Sequence, residues 1–188
     1  MNIKVDITNI ILKTERLVLR PWENEDLDDL YEYASVDGVG QMAGWTPHKN
    51  KEESLNILNM FITEKRCFAL EYNNKVIGSL GIEMYDENQF SEFESKAGCE
   101  IGYVLSKDYW GKGLMTEAVK RVIKYLFEDL SVDIIFFGHF VDNYRSKRVQ
   151  EKNGFRHYKK IEYKTRYDVI KESWVSILER NDYMNNII

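Results

Sequence analysis

Glu100-Ile101-Gly102-Tyr103-Val104-Leu105 and, after three intervening residues, Tyr109-Trp110-Gly111-Lys112-Gly113-Leu114-Met115-Thr116-Glu117-Ala118 form the stretch on which the fold turns. The first part reads as a strand, and Gly102 inside it predicts a bulge or the close approach of another group. After Lys112, Leu114, Met115, Ala118, Val119, Val122, Ile123, Leu126 and Phe127 recur at helical spacing through Asp129, predicting a long amphipathic helix. Gly111-Lys112-Gly113 therefore opens a helix. The first helical turn carries backbone N–H groups without partners at the positive end of the dipole, and a phosphate satisfies both. Glycines let the backbone come close to such a group, and Lys112 adds charge. A Gly-x-Gly taken by itself is more often just an ordinary turn. The third glycine of a dinucleotide fingerprint is missing, and no Gly-Lys-Ser/Thr occurs, which argues against both of those phosphate motifs.

Upstream, Glu15 to Arg20 alternates polar and apolar residues and stops at Pro21, as a half-buried strand does. Asn24 with Glu25 and Asp26 predicts a helix start, with Leu27, Leu30, Tyr31 and Ala34 on one face. Asn50 with Glu53 resembles a capping box for a second helix striped by Leu55, Leu58, Phe61 and Ile62. Strands at 67–72 and 75–82 flank Asn73-Asn74, a tight hairpin because Asn tolerates the left-handed conformation. Residues 85–96 read as an exposed polar loop. Downstream come a buried strand at 133–140, a short helix opened by Asp142 or Asn143 and closed by Asn153-Gly154, and strands at 155–165 and 173–180. This is a mixed α/β (α+β) chain of seven strands and four helices around one sheet. With two prolines, no linker and no repeat, residues 1–188 are expected to form one domain.

Composition narrows the function. With 44% hydrophobic and 30% charged residues the chain should be globular. It has no bilayer-length apolar run and no signal-peptide core, so no membrane association and a cytoplasmic location are expected. A net charge of −5 argues against general nucleic-acid binding. Cys67 and Cys99 fall in strands as small buried hydrophobes, without metal-ligand spacing. His48, His139 and His157 have no partner motif and read as structural or surface residues.

Glu100-Ile-Gly-Tyr-Val-Leu-Ser, Tyr109-Trp-Gly-Lys-Gly-Leu-Met-Thr-Glu-Ala and Asn143-x-x-Ser146-x-Arg-Val-x-Glu-Lys-x-Gly154-Phe155, in that order, resemble the GNAT superfamily of N-acetyltransferases. Together with Glu15-Arg-Leu-Val-Leu-Arg-Pro, they resemble more narrowly the branch of ribosomal-protein N-terminal acetyltransferases (the RimJ/RimL type). Against the superfamily signature Gln/Arg-x-x-Gly-x-Gly/Ala, Trp110 and Met115 depart and Gly113 agrees.

The resemblance implies a mostly antiparallel mixed sheet with splayed central strands, and acetyl-CoA as cofactor. The pyrophosphate would sit on backbone groups of Trp110, Gly111, Lys112, Gly113, Leu114, Met115 and Thr116. Pantetheine would pair with Tyr103, Val104 and Leu105. Asn143 and Ser146 would orient the cofactor, and Ser146 would serve near its sulfur; both residues are equally plausible as plain helix caps. Arg148, with Arg145, Lys147 and Lys152, would steer a phosphate or simply form a solvated face. The tyrosine that many GNAT proteins carry as general acid is replaced here by Gln150.

Acetyl transfer to an amine in a ternary complex needs a base. Glu100 is the first candidate and Glu83 the second, each equally readable as a strand-end surface carboxylate. Tyr31, Trp45, Phe68, Tyr163 and Tyr167 are candidates for the acceptor pocket. The partners implied are acetyl-CoA and a primary amine, either a protein N-terminus or a small amine, with a homodimer as the expected assembly. The competing expectation, suggested by Gln150 and the altered signature, is an idle acetyl-CoA-binding or regulatory module.

Overall fold

In the computed structural model, which describes residues 1–185, eight strands build one sheet in the order β1-β2-β3-β4-β5-β6-β8-β7. They are β1 (Leu12–Lys13), β2 (Val18–Arg20), β3 (Cys67–Tyr72), β4 (Lys75–Glu83), β5 (Gly98–Leu105), β6 (Ile134–Phe140), β7 (Arg156–Lys164) and β8 (Ile170–Glu179). The helices are α1 (Leu27–Ala34), α2 (Lys51–Glu64), α3 (Leu114–Lys124), α4 (Tyr144–Lys152) and α5 (Arg180–Asn185). The eighth strand is the two-residue β1, and the fifth helix is the short α5; neither is long enough to leave a periodic signal. Among the strands of the described residues, β5 and β6 are the one parallel pair, and an isolated parallel bridge joins Asn2 to Gly98. Asn73 and Asn74 take φ of 51° and 61°, the left-handed pair that a tight hairpin requires. The Asn50 carboxamide accepts the Glu53 N–H at 3.0 Å and caps α2.

The sheet separates two apolar layers. Leu70, Ile77, Leu80, Ile101, Ile135 and Phe137 pack under α3, whose Leu114, Met115, Ala118, Val119, Val122 and Ile123 are all buried. Cys67, Ala69 and Val76 face α1 and α2 on the other side. The helical pattern expected to run through Asp129 changes at Tyr125 into one π-type turn, Tyr125–Asp129. The segment expected to be an exposed loop instead buries Tyr85, Phe90 and Phe93 around Phe136. Three aromatics outweigh the polar residues between them, although their spacing fits neither a helix nor a strand.

The feature that positions everything else is a split in the sheet. The β5–β6 ladder pairs Gly98, Cys99 and Glu100 with Ile134, Ile135 and Phe136, and there it ends. β5 stays on β4 as far as Leu105, and β6 stays on β8 as far as Phe140. A wedge therefore opens beyond Glu100. The Ser106 N–H donates to the Ile77 carbonyl at 2.7 Å, and the Ile3 N–H to the Gly98 carbonyl. Strand alternation then points the backbone of Gly102 and Val104 at β4 and that of Tyr103 and Leu105 into the wedge. Val104, expected to offer its backbone to a ligand, instead spends it on Ser79 of β4.

Candidate active site

The loop at the head of the wedge is held from three directions. After a 3₁₀ turn at Lys107–Tyr109, Gly111 and Gly113 take φ of 76° and 78°, and Gly113 is the N-cap of α3. These are conformations that L side chains resist. The Trp110 indole N–H donates to the Leu105 carbonyl at 2.8 Å, and the Arg145 guanidinium lies 3.9 Å from the centre of its ring. Arg16, held by the Glu117 carboxylate at 2.7 Å, donates to the Lys112 carbonyl at 3.0 Å. The loop's outer surface is open: a Cβ placed on Gly111 would meet nothing within 4 Å. The Lys112 ammonium lies over the Tyr109 ring, 5.0 Å from the centre, and the residue is not among those that line the cleft. Arg145, Arg148 and Lys152 of α4 line it instead, with Thr116 of α3. Leu114 and Met115 form its inner wall.

One continuous cleft of about 1090 Å³ runs from this loop through the wedge to the α1–α2 side. Its two ends lie on opposite faces of the sheet. On the α3–α4 face stand Tyr103, Ser146 and His139. Asn143 caps α4 by accepting the Ser146 N–H at 3.2 Å, and its side chain also reaches the Met42 carbonyl. Gln150, one turn on from Ser146, is buried, and its carbonyl faces His139 Nδ1 at 2.9 Å. Burial pushes the Tyr103 phenol up to about 12, partly offset by the Ser146 hydroxyl beside it.

The other face carries the carboxylates. Glu83 and Glu100 are direct cross-strand partners, the last pair of the β4–β5 ladder. Each lies back across a glycine. A Cβ on Gly81 would sit 2.8 Å from Glu83 Oε1, and one on Gly138 would sit 3.3 Å from Glu100 Oε1. Burial, reinforced by the neighbouring Glu83 charge, pushes the Glu100 carboxyl up to about 7. Burial also raises Glu83, but Arg66 at 3.3 Å opposes that shift. Glu100 is thus not a plain surface carboxylate.

The residues expected around an acceptor divide. Trp45 and Tyr163 line the cleft. Tyr31 and Tyr167 do not; Tyr33, two residues along α1, and Arg166 take their places. Leu30, Tyr33 and Ala34 form the buried face of α1, and Tyr31 lies off that face. Phe68 is fully buried and packs edge-on against Tyr125, at 6.4 Å, in the layer under α3. Strand alternation sends it to the face opposite the carboxylates. In the sequence Arg16 reads as a strand residue, and His48 and His139 as structural or surface residues, none of them as part of the site. The His48 ring lies tilted against Trp45, 5.1 Å between centres, contacts Ser54 and lines the cleft. The only sequence signal for it was its position three residues after Trp45.

The acetyltransferase (GNAT) domain profile matches residues 16–156, which span the loop, both carboxylates and α4. The chain belongs to the GNAT acetyltransferase family. Among its GNAT relatives, N-acetyltransferase p20 of Bacillus licheniformis is 31% identical over 131 residues, 66% of this chain and 70% of that protein. YoaA of Bacillus subtilis, also named an N-acetyltransferase, is 27% identical over 153 residues, 78% of this chain and 82% of its own. A GNAT acetyltransferase from Bacillus anthracis superposes with a TM-score of 0.79 at 23% identity, covering 92% of this chain and 99% of that one. The microcin C7 self-immunity acetyltransferase MccE, solved with acetyl-CoA and AMP, gives 0.74 at 15% identity, covering 88% and 93%. These structures share the GNAT fold, and the family makes this chain an acetyl-CoA-dependent N-acetyltransferase.

Proposed function

We propose that this GNAT enzyme acetylates a primary amine by direct attack, with donor and acceptor held in the cleft together. The observation that carries the reading is Glu100, which is half-buried in the cleft at the point where the sheet splits and has its carboxyl pushed up to about 7. A base titrating there is about half ionised at neutral pH and more basic than an ordinary carboxylate, which favours taking a proton from an amine.

The residues fit acetyl-CoA. The open glycine loop from Trp110 to Thr116, with Arg145, Arg148 and Lys152, suits the phosphates, and the backbone edges of Tyr103 and Leu105 suit an extended amide arm in the wedge. When bound, acetyl-CoA supplies an acyl group already activated as a thioester. The chain's own groups then act from two sides. From the α1–α2 face, Glu100 accepts the proton of the incoming ammonium, with Glu83 as second carboxylate. From the α3–α4 face, Ser146 Oγ, with the Tyr103 hydroxyl beside it, offers the proton that a departing thiolate needs. This pair stands in for the tyrosine replaced by Gln150. An acceptor α-amine, with a pKa of about 7.7–8.0, asks less of Glu100 than a lysine at about 10.4.

YdaF of Bacillus subtilis, whose name describes a ribosomal N-acetyltransferase, is 33% identical over 87 residues, 46% of this chain; that supports a protein N-terminus as one acceptor, beside small amines. The test is thiol release from acetyl-CoA across a panel of peptides and small amines, with initial rates at varied concentrations of both substrates. Release with intersecting double-reciprocal lines is expected. Thermal stabilisation by acetyl-CoA without release on any amine would favour the idle module.

A further inference from the structure

The acceptor half of the cleft has a composition of its own. α2 buries only Ser54 and Leu58 and leaves Ile57, Met60 and Phe61 half-exposed, where they line the cleft. Leu30 of α1 and Met42 and Trp45 of the following loop continue this wall. Its floor is the sheet face bearing Ser79, Gly81 and Gly102, small residues that leave depth between the helices and the strands. A Cβ on Gly102 would meet nothing within 4 Å. The Tyr33 hydroxyl, in a side chain only 3% exposed, lies beside Ser79 but makes no well-formed hydrogen bond among the described residues. At the inner end lie the paired carboxylates of Glu83 and Glu100. Other charges in this half, those of Lys49, Glu53 and Arg166, belong to exposed or half-exposed residues.

We infer that the acceptor is a small primary amine borne on a single apolar body of aryl or alkyl kind, with no second charge. Resting on the acetyl-transfer reading above, the inference narrows it from amines in general to one class. The ammonium faces the two carboxylates, which complement its charge, and the body lies along Ile57, Met60 and Phe61. A polyamine would have to lay its second ammonium along that apolar wall, where Glu53, the remaining carboxylate lining the cleft, already accepts the Lys49 N–H. A free amino acid would bring its carboxylate beside Glu83 and Glu100. A ring bearing a distal hydroxyl gains the Tyr33 hydroxyl as a partner.

The experiment measures kcat/KM for thiol release with 2-phenylethylamine, tyramine, hexylamine, spermidine and a tetrapeptide with N-terminal serine. Calorimetric binding of the same amines to the CoA-loaded protein is measured in parallel. The three apolar amines should exceed spermidine and the peptide by at least about tenfold in either readout. Ile57→Glu, at a half-exposed position, should shrink that gap by weakening the apolar amines and improving spermidine. Spermidine or the peptide matching the apolar amines overturns the inference, and so does a selectivity unchanged in Ile57→Glu. Selective binding of apolar amines without thiol release would instead sink the acetyl-transfer reading and leave the assignment of the binding class standing.

Discussion

Glu100 shows how one side chain can be costly to the fold and useful to the chemistry. Its carboxyl is pushed up to about 7 by burial and by Glu83, against an ordinary value of 4.5. The folded state thus holds a proton that the unfolded chain releases, so stability falls as pH rises between those two values and is not regained above them. Glu100→Gln should flatten this dependence and melt a few degrees higher than wild type at pH 8, measured by calorimetry. The same variant should lose about 10²–10³-fold in kcat/KM. Wild-type kcat/KM should fall as pH drops through about 7, an apparent value belonging to the carboxylate pair. The sequence placed Glu100 at the start of the strand that matters but left it open between base and surface charge. What decides between them is Gly138, thirty-eight residues on, whose missing side chain leaves room for Glu100 Oε1. A single sequence does not show that two distant residues share a space.

Among the elements, the loop from Tyr109 to Gly113 and its helix were legible because periodicity and glycine chemistry are local. The loop's fastenings were not. Arg16 reads as an ordinary strand residue, yet it bridges Glu117 and the Lys112 carbonyl. Arg16→Ala should weaken acetyl-CoA binding several-fold in a titration while leaving kcat near wild type, because it loosens the loop without touching the carboxylates. Gly113→Val should weaken binding more, since φ of 78° costs a β-branched residue about 1–2 kcal/mol or more and the new side chain crowds the Arg16 guanidinium 3.6 Å away. Lys112→Ala, by contrast, should leave binding within about twofold, as expected of a surface side chain resting on Tyr109. The acceptor aromatics were the least legible. Tyr31 and Tyr33 differ only in helical phase, and Phe68 reads as pocket or core until its strand's neighbours fix which face it joins.

At the scale of the whole molecule, the order of strands and helices could be read along the chain, and the resemblance added the splay. The extent of the splay depends on where two ladders end, and that is a property of pairing rather than of any one segment. Its consequence reaches the main chain. Beyond Glu100, the amides of Tyr103 and Leu105 have no neighbouring strand, while those of Gly102 and Val104 are tied into β4. In deuterated buffer this short run should label as an alternating pattern, with Tyr103 and Leu105 exchanging quickly and their neighbours slowly. Saturation with acetyl-CoA should slow those two and leave the neighbours nearly unchanged, as site-resolved mass spectrometry or NMR would register. Equal slowing of all four amides would mean general tightening of the molecule rather than a ligand lying in the seam. The parted sheet thus carries its own isotope label for occupancy, readable before any acceptor is known.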